Sequence, residues 1–399
     1  MIANEQKKII LENMVELLEL PQSTYEKAKK RYEDLGEWFD REASAVKDNN
    51  PHIFPQGSFR LGTAIRPLDE KEAYDLDLAC NLSQGITKHS NTQESIKKLV
   101  GFELETYRVA RGIQAQKEEK HRCWRLEYQD ELNFHMDIVP CIPEDETKRQ
   151  LILASMTKAG TNQLIAGSAS QLTVSITDDR HEGFRQICEN WNISNPEGYG
   201  IWFEYRMNQY QNQILLEKAQ VDDIPTFRSK TPLQRSVQFL KRHRDKMFKG
   251  NEDVKPISII ITTLAAKAYN GEQDIESALT NILSKMRSMV NSNTPRVPNP
   301  VDPEEDFADR WAMPQYRHHN LEQNFWNWLQ QAQIDFKHIT STTDTGFISE
   351  QAQQKFSVRV NSSELGKRMG LSQGTISIVS PKSHSINGPL KPWRRKVKC

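Results

Sequence analysis

The chain has 399 residues, with 53 basic and 53 acidic side chains, 37% hydrophobic content and 8% aromatic residues. That length and apolar content supply cores for two lobes, while the balanced charge argues against an enzyme triggered by wrapping long nucleic acid, which shows a basic excess or stripe. Five cysteines (Cys80, Cys123, Cys141, Cys188 and Cys399) have no C-x-x-C spacing, which excludes a zinc module of that kind, and the longest apolar run, 257–266, is too short and too broken by Ser and Thr to span a bilayer.

The thiols read as free in a reducing cytosol and no signal peptide is visible, so the expected location is cytoplasmic and no membrane partner is expected. Residues 4–47 read as two helices. Ile9, Ile10, Met14, Leu17 and Leu18 recur at helical spacing, and Pro21-Gln22-Ser23 interrupts them. Ser23 to Glu26 forms a capping-box pattern that opens a second helix over 25–45, ended by Asn49-Asn50-Pro51. A glycine-serine turn follows in Pro55-Gln56-Gly57-Ser58-Phe59-Arg60-Leu61-Gly62-Thr63. Residues 74–80 then alternate, with Tyr74, Leu76, Leu78 and Cys80 apolar and Asp75 and Asp77 between them. Period-two alternation predicts a strand, so the two aspartates project side by side.

A helix is expected around 92–104 and a strand over 123–128. Another strand is expected over 134–139, where Phe134, Met136 and Ile138 share one face and Asp137 points the other way. Ser194-Asn195-Pro196-Glu197-Gly198-Tyr199-Gly200 reads as a turn before a helix over 201–216. Thr231-Pro232 places an N-cap before a proline at the first helical position. Leu233, Val237, Leu240 and Met247 then make one apolar stripe, interrupted by Lys241, Arg242, His243 and Arg244. Lys255-Pro256-Ile257-Ser258 starts a further helix over 259–269. The stretch 292–307 reads as a loop and 311–336 as a helix anchored by Trp311, Phe325, Trp326 and Trp328. The basic end, with Trp393-Arg394-Arg395-Lys396-Val397-Lys398, reads as a poorly packed tail.

Three carboxylates beside a glycine-serine turn suit metal-dependent nucleotidyl transfer. Oxygen donors of this type suit Mg²⁺, and two ions can clamp the attacking and leaving oxygens of an in-line displacement. Asp75, Asp77 and Asp137 are the candidate metal ligands, with Asp137 as acceptor of the hydroxyl proton, direct or through the metal. Gly57 lets backbone N–H groups approach phosphate oxygens, Ser58 can donate to the β- or γ-phosphate, Gln56 assists, and Thr63 supports the turn. Lys241 and Ser258 could hold a triphosphate from an opposite lobe, Ser258 from the first turn of its helix. The alternatives are a solvated lysine and a serine that only caps, just as His135 could be a core histidine.

The run from Pro55 to Cys80, with Asp137 following, resembles bacterial cGAS/DncV-like nucleotidyltransferases, the synthases of the anti-phage signalling systems called CBASS. The likeness extends through Ser194 to Phe203, Thr231 to Asp245, Lys255 to Ile260, Asn299 to Val301, and Phe307 to Trp311. It implies an α/β + α protein: a polymerase-β-like nucleotidyltransferase palm with a mixed sheet, a C-terminal helical lobe and N-terminal bridging helices. The expected division is 1–50 for the bridging helices, 51–225 for the catalytic core, 226–380 for the helical lobe and 381–399 for the basic tail.

By the same resemblance, the enzyme joins ribonucleoside triphosphates (ATP, GTP or a pyrimidine triphosphate) into a cyclic di- or trinucleotide second messenger and releases pyrophosphate. Ser58 would contact the donor triphosphate. Asp75, Asp77 and Asp137 would hold two Mg²⁺ ions, for which Mn²⁺ could substitute. Lys241 and Ser258 would contact phosphates. CBASS accessory proteins could dock through the tail. Competing readings are a linear-product synthase, a protein-modifying nucleotidyltransferase and an inactive nucleotide-binding scaffold. The sequence leaves base choice, ring size and linkage open.

Overall fold

The computed structural model describes residues 2–69, 72–129, 133–208 and 230–371. The tail expected over 381–399, the later part of the helix expected over 201–216, and the expected junction after residue 225 lie outside them.

Helices α1 (Asn4–Leu18) and α2 (Gln22–Asp40) part at Pro21, whose extended backbone stands at the N-cap of α2. The expected capping box at Ser23 does not form, because Ser23 already lies inside the helix. The helix also stops at Asp40, short of the expected 45. Beyond it the buried Glu103 carboxylate accepts from the Ala45 N–H and the Arg41 guanidinium, each at 2.7 Å. That tertiary pairing outcompetes helical continuation.

The chain then enters a mixed sheet. Strand β1 (Pro51–Pro55) leads into a single helical turn, α3 (Gly57–Arg60), and on to β2 (Tyr74–Leu82). Helix α4 (Gln93–Ala110) crosses to the short β3 (Glu118–Glu119), β4 (Trp124–Tyr128) and β5 (Phe134–Pro143). The strand order is β1-β2-β5-β4-β3. Strands β2 and β5 run parallel while the pairings β1–β2, β4–β5 and β3–β4 are antiparallel. Helices α5 (Glu146–Lys158) and α6 (Gln163–Gln171) follow, then β6 (Val174–Ile176), which pairs with the end of β5, and β7 (Asn192–Ser194), which pairs with β6.

Helix α7 (Pro196–Met207) begins inside the stretch expected as a turn. The Asn195 side chain accepts from the Gly198 N–H, and Pro196 occupies the first helical position, so Asn-Pro is a helix start here. The helical lobe continues with α8 (Pro232–Met247), capped by the Thr231/Gln234 box, then α9 (Ser258–Ala268) and α10 (Ile275–Lys285). The stretch expected as a loop over 292–307 contains a hairpin of β8 (Pro298–Asn299) and β9 (Asp302–Asp306). Asp306 ties it down by accepting from the Val297 and Ala308 N–H groups. Helix α11 (Leu321–Ile339) starts later than expected, after short 3₁₀ turns and a left-handed Asn320, with Phe325 and Trp328 fully buried as its anchors. Helices α12 (Thr345–Phe356) and α13 (Ser362–Arg368) complete the lobe.

Two cores explain how these elements assemble. Leu35 and Phe39 of α2, Val100 and Leu104 of α4, and Leu76, Leu78, Met136 and Ile138 of the sheet form the palm core. Helix α1 instead packs through Ile10, Met14 and Leu18 into the core shared by α8 to α12, together with Ile152, Ile165 and Phe203 of α5 to α7. The break at Pro21 therefore lets adjacent helices serve different lobes, which is the bridging arrangement that the family resemblance implies. Cys80 and Cys141 are buried as small apolar side chains of the palm.

Candidate active site

The two parallel strands put the acidic residues in register. Asp77 lies opposite Asp137, and Asp75 opposite His135. Leu76, Leu78, Met136 and Ile138 are fully buried on the core face, so alternation drives Asp75, Asp77 and Asp137 to the other. Burial, with Asp75 and then Asp137 adding like charge, pushes the Asp77 carboxyl up to about 7, opposed by Lys241 and Arg125.

Gly57 could not be replaced here without displacement. Its φ is +62°, and a Cβ on it would lie 2.4 Å from Asp77 Oδ2. The glycine thus lets the turn close directly over the carboxylate. Gln56 staples that turn to β2: its N–H donates to the Asp77 carbonyl at 2.8 Å and its side-chain amide to the Leu78 carbonyl at 3.1 Å. The amide nitrogen that could have served a nucleotide is therefore engaged with the strand. Ser58 follows on the single turn, and its carbonyl accepts from the Thr63 N–H at 2.9 Å.

A cleft of about 610 Å³ separates this turn from the helical lobe and is lined by Gly57, Ser58, Asp75, Asp77, Lys241 and Ser258. These distant sequence candidates are thus brought together. Lys241 is not on a solvated face: it is 7% exposed and its Nζ donates to the Thr63 carbonyl at 2.9 Å. Burial, then repulsion from Arg244, lowers its ammonium to about 8. Ser258 occupies the first residue of α9 without capping it, and its Oγ accepts from Arg244 at 2.8 Å.

Asp137 stands apart from that cleft's lining. Arg125, opposite it on β4, donates from Nε to Oδ1 and from Nη2 to Oδ2, both at 2.7 Å. His135 is half-buried between Asp75 and Glu127, 3.4 Å from each, rather than in the core. Sequence reasoning did not single out Arg125, although the alternation of Trp124, Arg125 and Leu126 places it on the carboxylate face.

The donor set fits a hard divalent cation: three carboxylates on one face, with Asp77 crowded by like charge. Among the described residues no three such side chains are yet drawn together as a ready-made ion cage, and Asp137 is forked to Arg125 instead. Of the three candidate ligands, Asp75 and Asp77 line the cleft directly.

A palm whose paired strands present acids beneath a glycine-serine turn, closed by a helical lobe, defines the nucleotidyltransferase class. Residues 51–140 match the family model described as "Cyclic GMP-AMP synthase DncV-like, nucleotidyltransferase domain". Over 319 residues the chain is 31% identical to a c-di-GMP synthase of Roseivirga ehrenbergii, an overlap of 78% of this chain and 74% of that protein. It is 23% identical over 318 residues to the cyclic dinucleotide synthase CdnG of Bradyrhizobium diazoefficiens, spanning 74% of this chain and 67% of that one. The structure of that CD-NTase in complex with GTP shares the fold at a TM-score of 0.63 and 18% identity, covering 90% of this chain and 97% of CdnG. Vibrio cholerae DncV in complex with a linear intermediate does so at 0.52 and 17% identity, over 90% and 88%. The chain belongs to the DncV-like nucleotidyltransferases, the CD-NTases, a family of metal-dependent enzymes.

Proposed function

We propose that this enzyme joins ribonucleoside triphosphates, GTP foremost, into a cyclic dinucleotide that serves as a second messenger in anti-phage defence. The observation that carries this reading is the register of Asp77 with Asp137, with Asp75 on the same face, under a turn that only glycine can close. Both relatives are cyclic dinucleotide synthases, and the guanine comes from the first, the c-di-GMP synthase.

In this reading Gly57 and Ser58 receive the donor triphosphate, and Lys241 and Ser258 contact its phosphates from across the cleft. Asp75, Asp77 and Asp137 would hold Mg²⁺, or Mn²⁺ in its place. Bound there, the ion would supply charge neutralisation on the triphosphate and would make the attacking ribose hydroxyl more acidic. The hydroxyl oxygen forms a bond to the α-phosphorus, the bond from that phosphorus to the bridging oxygen breaks, and pyrophosphate leaves. In this reading Asp137, once released from Arg125, would accept the hydroxyl proton. A second transfer of the same kind closes the ring. No helix among the described residues is long and apolar enough to cross a membrane.

The test incubates the purified protein with four labelled ribonucleoside triphosphates and Mg²⁺, treats the products with phosphatase and identifies survivors by mass spectrometry. A resistant cyclic species containing guanine is expected, and it should vanish in a folded Asp75→Ala/Asp77→Ala variant. Products that are all phosphatase-sensitive, or synthesis surviving in that variant, would overturn the reading.

A further inference from the structure

The segment 61–67 leads from the glycine-serine turn toward β2 and belongs to no helix or strand. Its carbonyls therefore need partners from elsewhere. Helix α8 supplies them. Gln234, Gln238, Lys241 and Arg242 are spaced i, i+4, i+7 and i+8, which lines them along one face. Gln234 Nε2 donates to the Leu61 carbonyl at 3.0 Å, Lys241 Nζ to that of Thr63 at 2.9 Å and Gln238 Nε2 to that of Ala64 at 2.8 Å. Arg242 donates to the carbonyls of Arg66 and Pro67, and Lys230, just ahead of the helix, to that of Gly62 at 2.9 Å. All five side chains are buried.

The apolar stripe of the same helix, Leu233, Val237 and Leu240, packs into the core of the helical lobe. Apolar contact is non-directional and lets a helix slide, whereas a row of directional bonds is lost if α8 shifts along the segment. Within the row Gln238 is distinct. Ala64 is buried in the palm core while Leu61 packs in the core of the helical lobe, so the bond from Gln238 reaches from one lobe into the core of the other. The Gln238 side chain is fully buried and lies outside the lining of the cleft, and its Oε1 has no hydrogen-bond partner. A buried acceptor in that condition is costly, and the bond to Ala64 is the one hydrogen bond this side chain makes among the described residues. From Ala64 the path to the reacting groups is short. Ala64 and its neighbour Thr63 line the cleft, and the Thr63 N–H donates to the Ser58 carbonyl at 2.9 Å.

We propose that Gln238 is a positioning residue for nucleotidyl transfer, one that fixes the register of α8 on segment 61–67 and so the separation of the two walls of the cleft. This rests on the reading of the cleft as a nucleotidyltransferase site. In that reading the triphosphate is held from both lobes, by Gly57 and Ser58 on one side and by Lys241 and Ser258 on the other. Lys241 stands three residues beyond Gln238 on α8, so pinning Gln238 to Ala64 seats the Lys241 ammonium on the neighbouring Thr63 carbonyl. In-line displacement is sensitive to misplacement of the reacting groups by about 1 Å. A loosened register would leave each wall of the site intact and let the phosphates drift relative to Asp75 and Asp77.

The test separates register from packing. Gln238→Met keeps length and volume, and it exchanges the unpaired Oε1 for an unpaired Ala64 carbonyl, so the melting temperature should stay close to wild type. Pyrophosphate release from GTP should lose about 10–100-fold in kcat, the cost of slightly misplaced reactants, with a smaller change in KM. Spin labels attached through Val109→Cys on α4 and Gln353→Cys on α12, both exposed positions, read the two lobes directly. The labelled protein is the full chain carrying Cys123→Ser, Cys188→Ser and Cys399→Ser. The label-to-label distance distribution without nucleotide should broaden in Gln238→Met. Ser236→Ala, which removes a hydroxyl bonded to the Pro232 carbonyl of its own helix, should match wild type in both readouts. Gln238→Asn keeps the amide but withdraws it by one carbon, and it carries the same expectation should the methionine variant fail to fold. Wild-type kcat, or an unbroadened distribution, in a folded Gln238 variant would overturn the inference. A wild type that releases no pyrophosphate would instead sink the proposed function, and the label distances would still decide whether Gln238 sets the register.

Discussion

Arg125 grips Asp137 with two parallel hydrogen bonds of 2.7 Å, and the same guanidinium lies 3.9 Å from Asp75. A forked pair of this kind is among the stronger polar contacts a protein makes. It engages both oxygens of the acid proposed to complete the metal-binding set, so a cation bound there would compete with Arg125 for one carboxylate.

Removing the arginine should therefore tighten binding of the ion in the absence of nucleotide. Arg125→Gln deletes a positive charge facing the carboxylates and frees Asp137, so Mn²⁺ affinity measured by electron paramagnetic resonance is expected to rise. Thermal stability should fall, by about 1.5–3 kcal/mol, as the charged hydrogen bonds are lost. Unchanged Mn²⁺ affinity in a folded variant would mean that Asp137 does not contribute to the ion site.

At the glycine-serine turn, two neighbouring substitutions should behave differently. Ser58→Ala removes one hydroxyl donor from the cleft and should weaken triphosphate use by about 1.5–3 kcal/mol with an unaltered melting temperature. Gly57→Ala places a methyl group 2.4 Å from Asp77 Oδ2 at a φ of +62°. Either the turn or the carboxylate must shift, so turnover should be lost outright and stability should fall. Comparable kinetics for the two variants would show that the turn has slack that the geometry does not suggest.

The acidic strands were legible because local chemistry and tertiary role coincide there. Alternation placed Asp75 and Asp77 on one face, and burying Leu76 and Leu78 requires the same register. The clustering of Ser58, Lys241 and Ser258 was legible only as one of two open readings until the family resemblance favoured it, since no local pattern says which charged helix face a distant lobe will cover. The hairpin over Pro298–Asp306 was read as a loop because its proline and acidic residues carry turn signals, and its pairing depends on Asp306 gathering two backbone N–H groups. Arg125 was visible as a position but not as a partner: alternation gives its face, while antiparallel pairing opposite Asp137 is a tertiary fact.

Away from the cleft, Lys267 offers a test of buried charge. Its Nζ donates to the Pro298 carbonyl at 2.8 Å, and burial lowers its ammonium to about 8, only partly opposed by Asp306. An unfolded lysine titrates near 10.4. Between those values the unfolded chain holds more protons than the folded one, so this group makes stability rise with pH across that window. Below it the buried charge is a fixed cost. Tyr269, raised to about 12, acts in the opposite direction above pH 10, so the comparison must be made against Lys267→Met. The variant should be the more stable below pH 8, with the difference shrinking toward pH 10. A constant difference in urea midpoints across that range would refute the assignment.

Arg244, which lines the same cleft and repels Lys241, should also act on the reaction through Ser258. Its Nη1 donates to Ser258 Oγ at 2.8 Å and to the Pro256 carbonyl at 3.0 Å, while Nε and Nη2 are anchored on Asp245 Oδ1 at 2.9 and 2.6 Å. A hydroxyl that accepts from a guanidinium cannot point its own proton back, so Ser258 is left to donate into the cleft. A double-mutant cycle separates this from a role in folding. Ser258→Ala should raise KM for the triphosphate, and Arg244→Gln should do the same in the wild-type background. In the Ser258→Ala background Arg244→Gln should add less, giving a coupling within the roughly 0.5–3 kcal/mol range seen for residues in contact. Fully additive effects would show that Arg244 serves the lobe rather than the serine. An unaltered KM in Ser258→Ala alone would remove Ser258 from the phosphate site and leave Arg244 as scaffold.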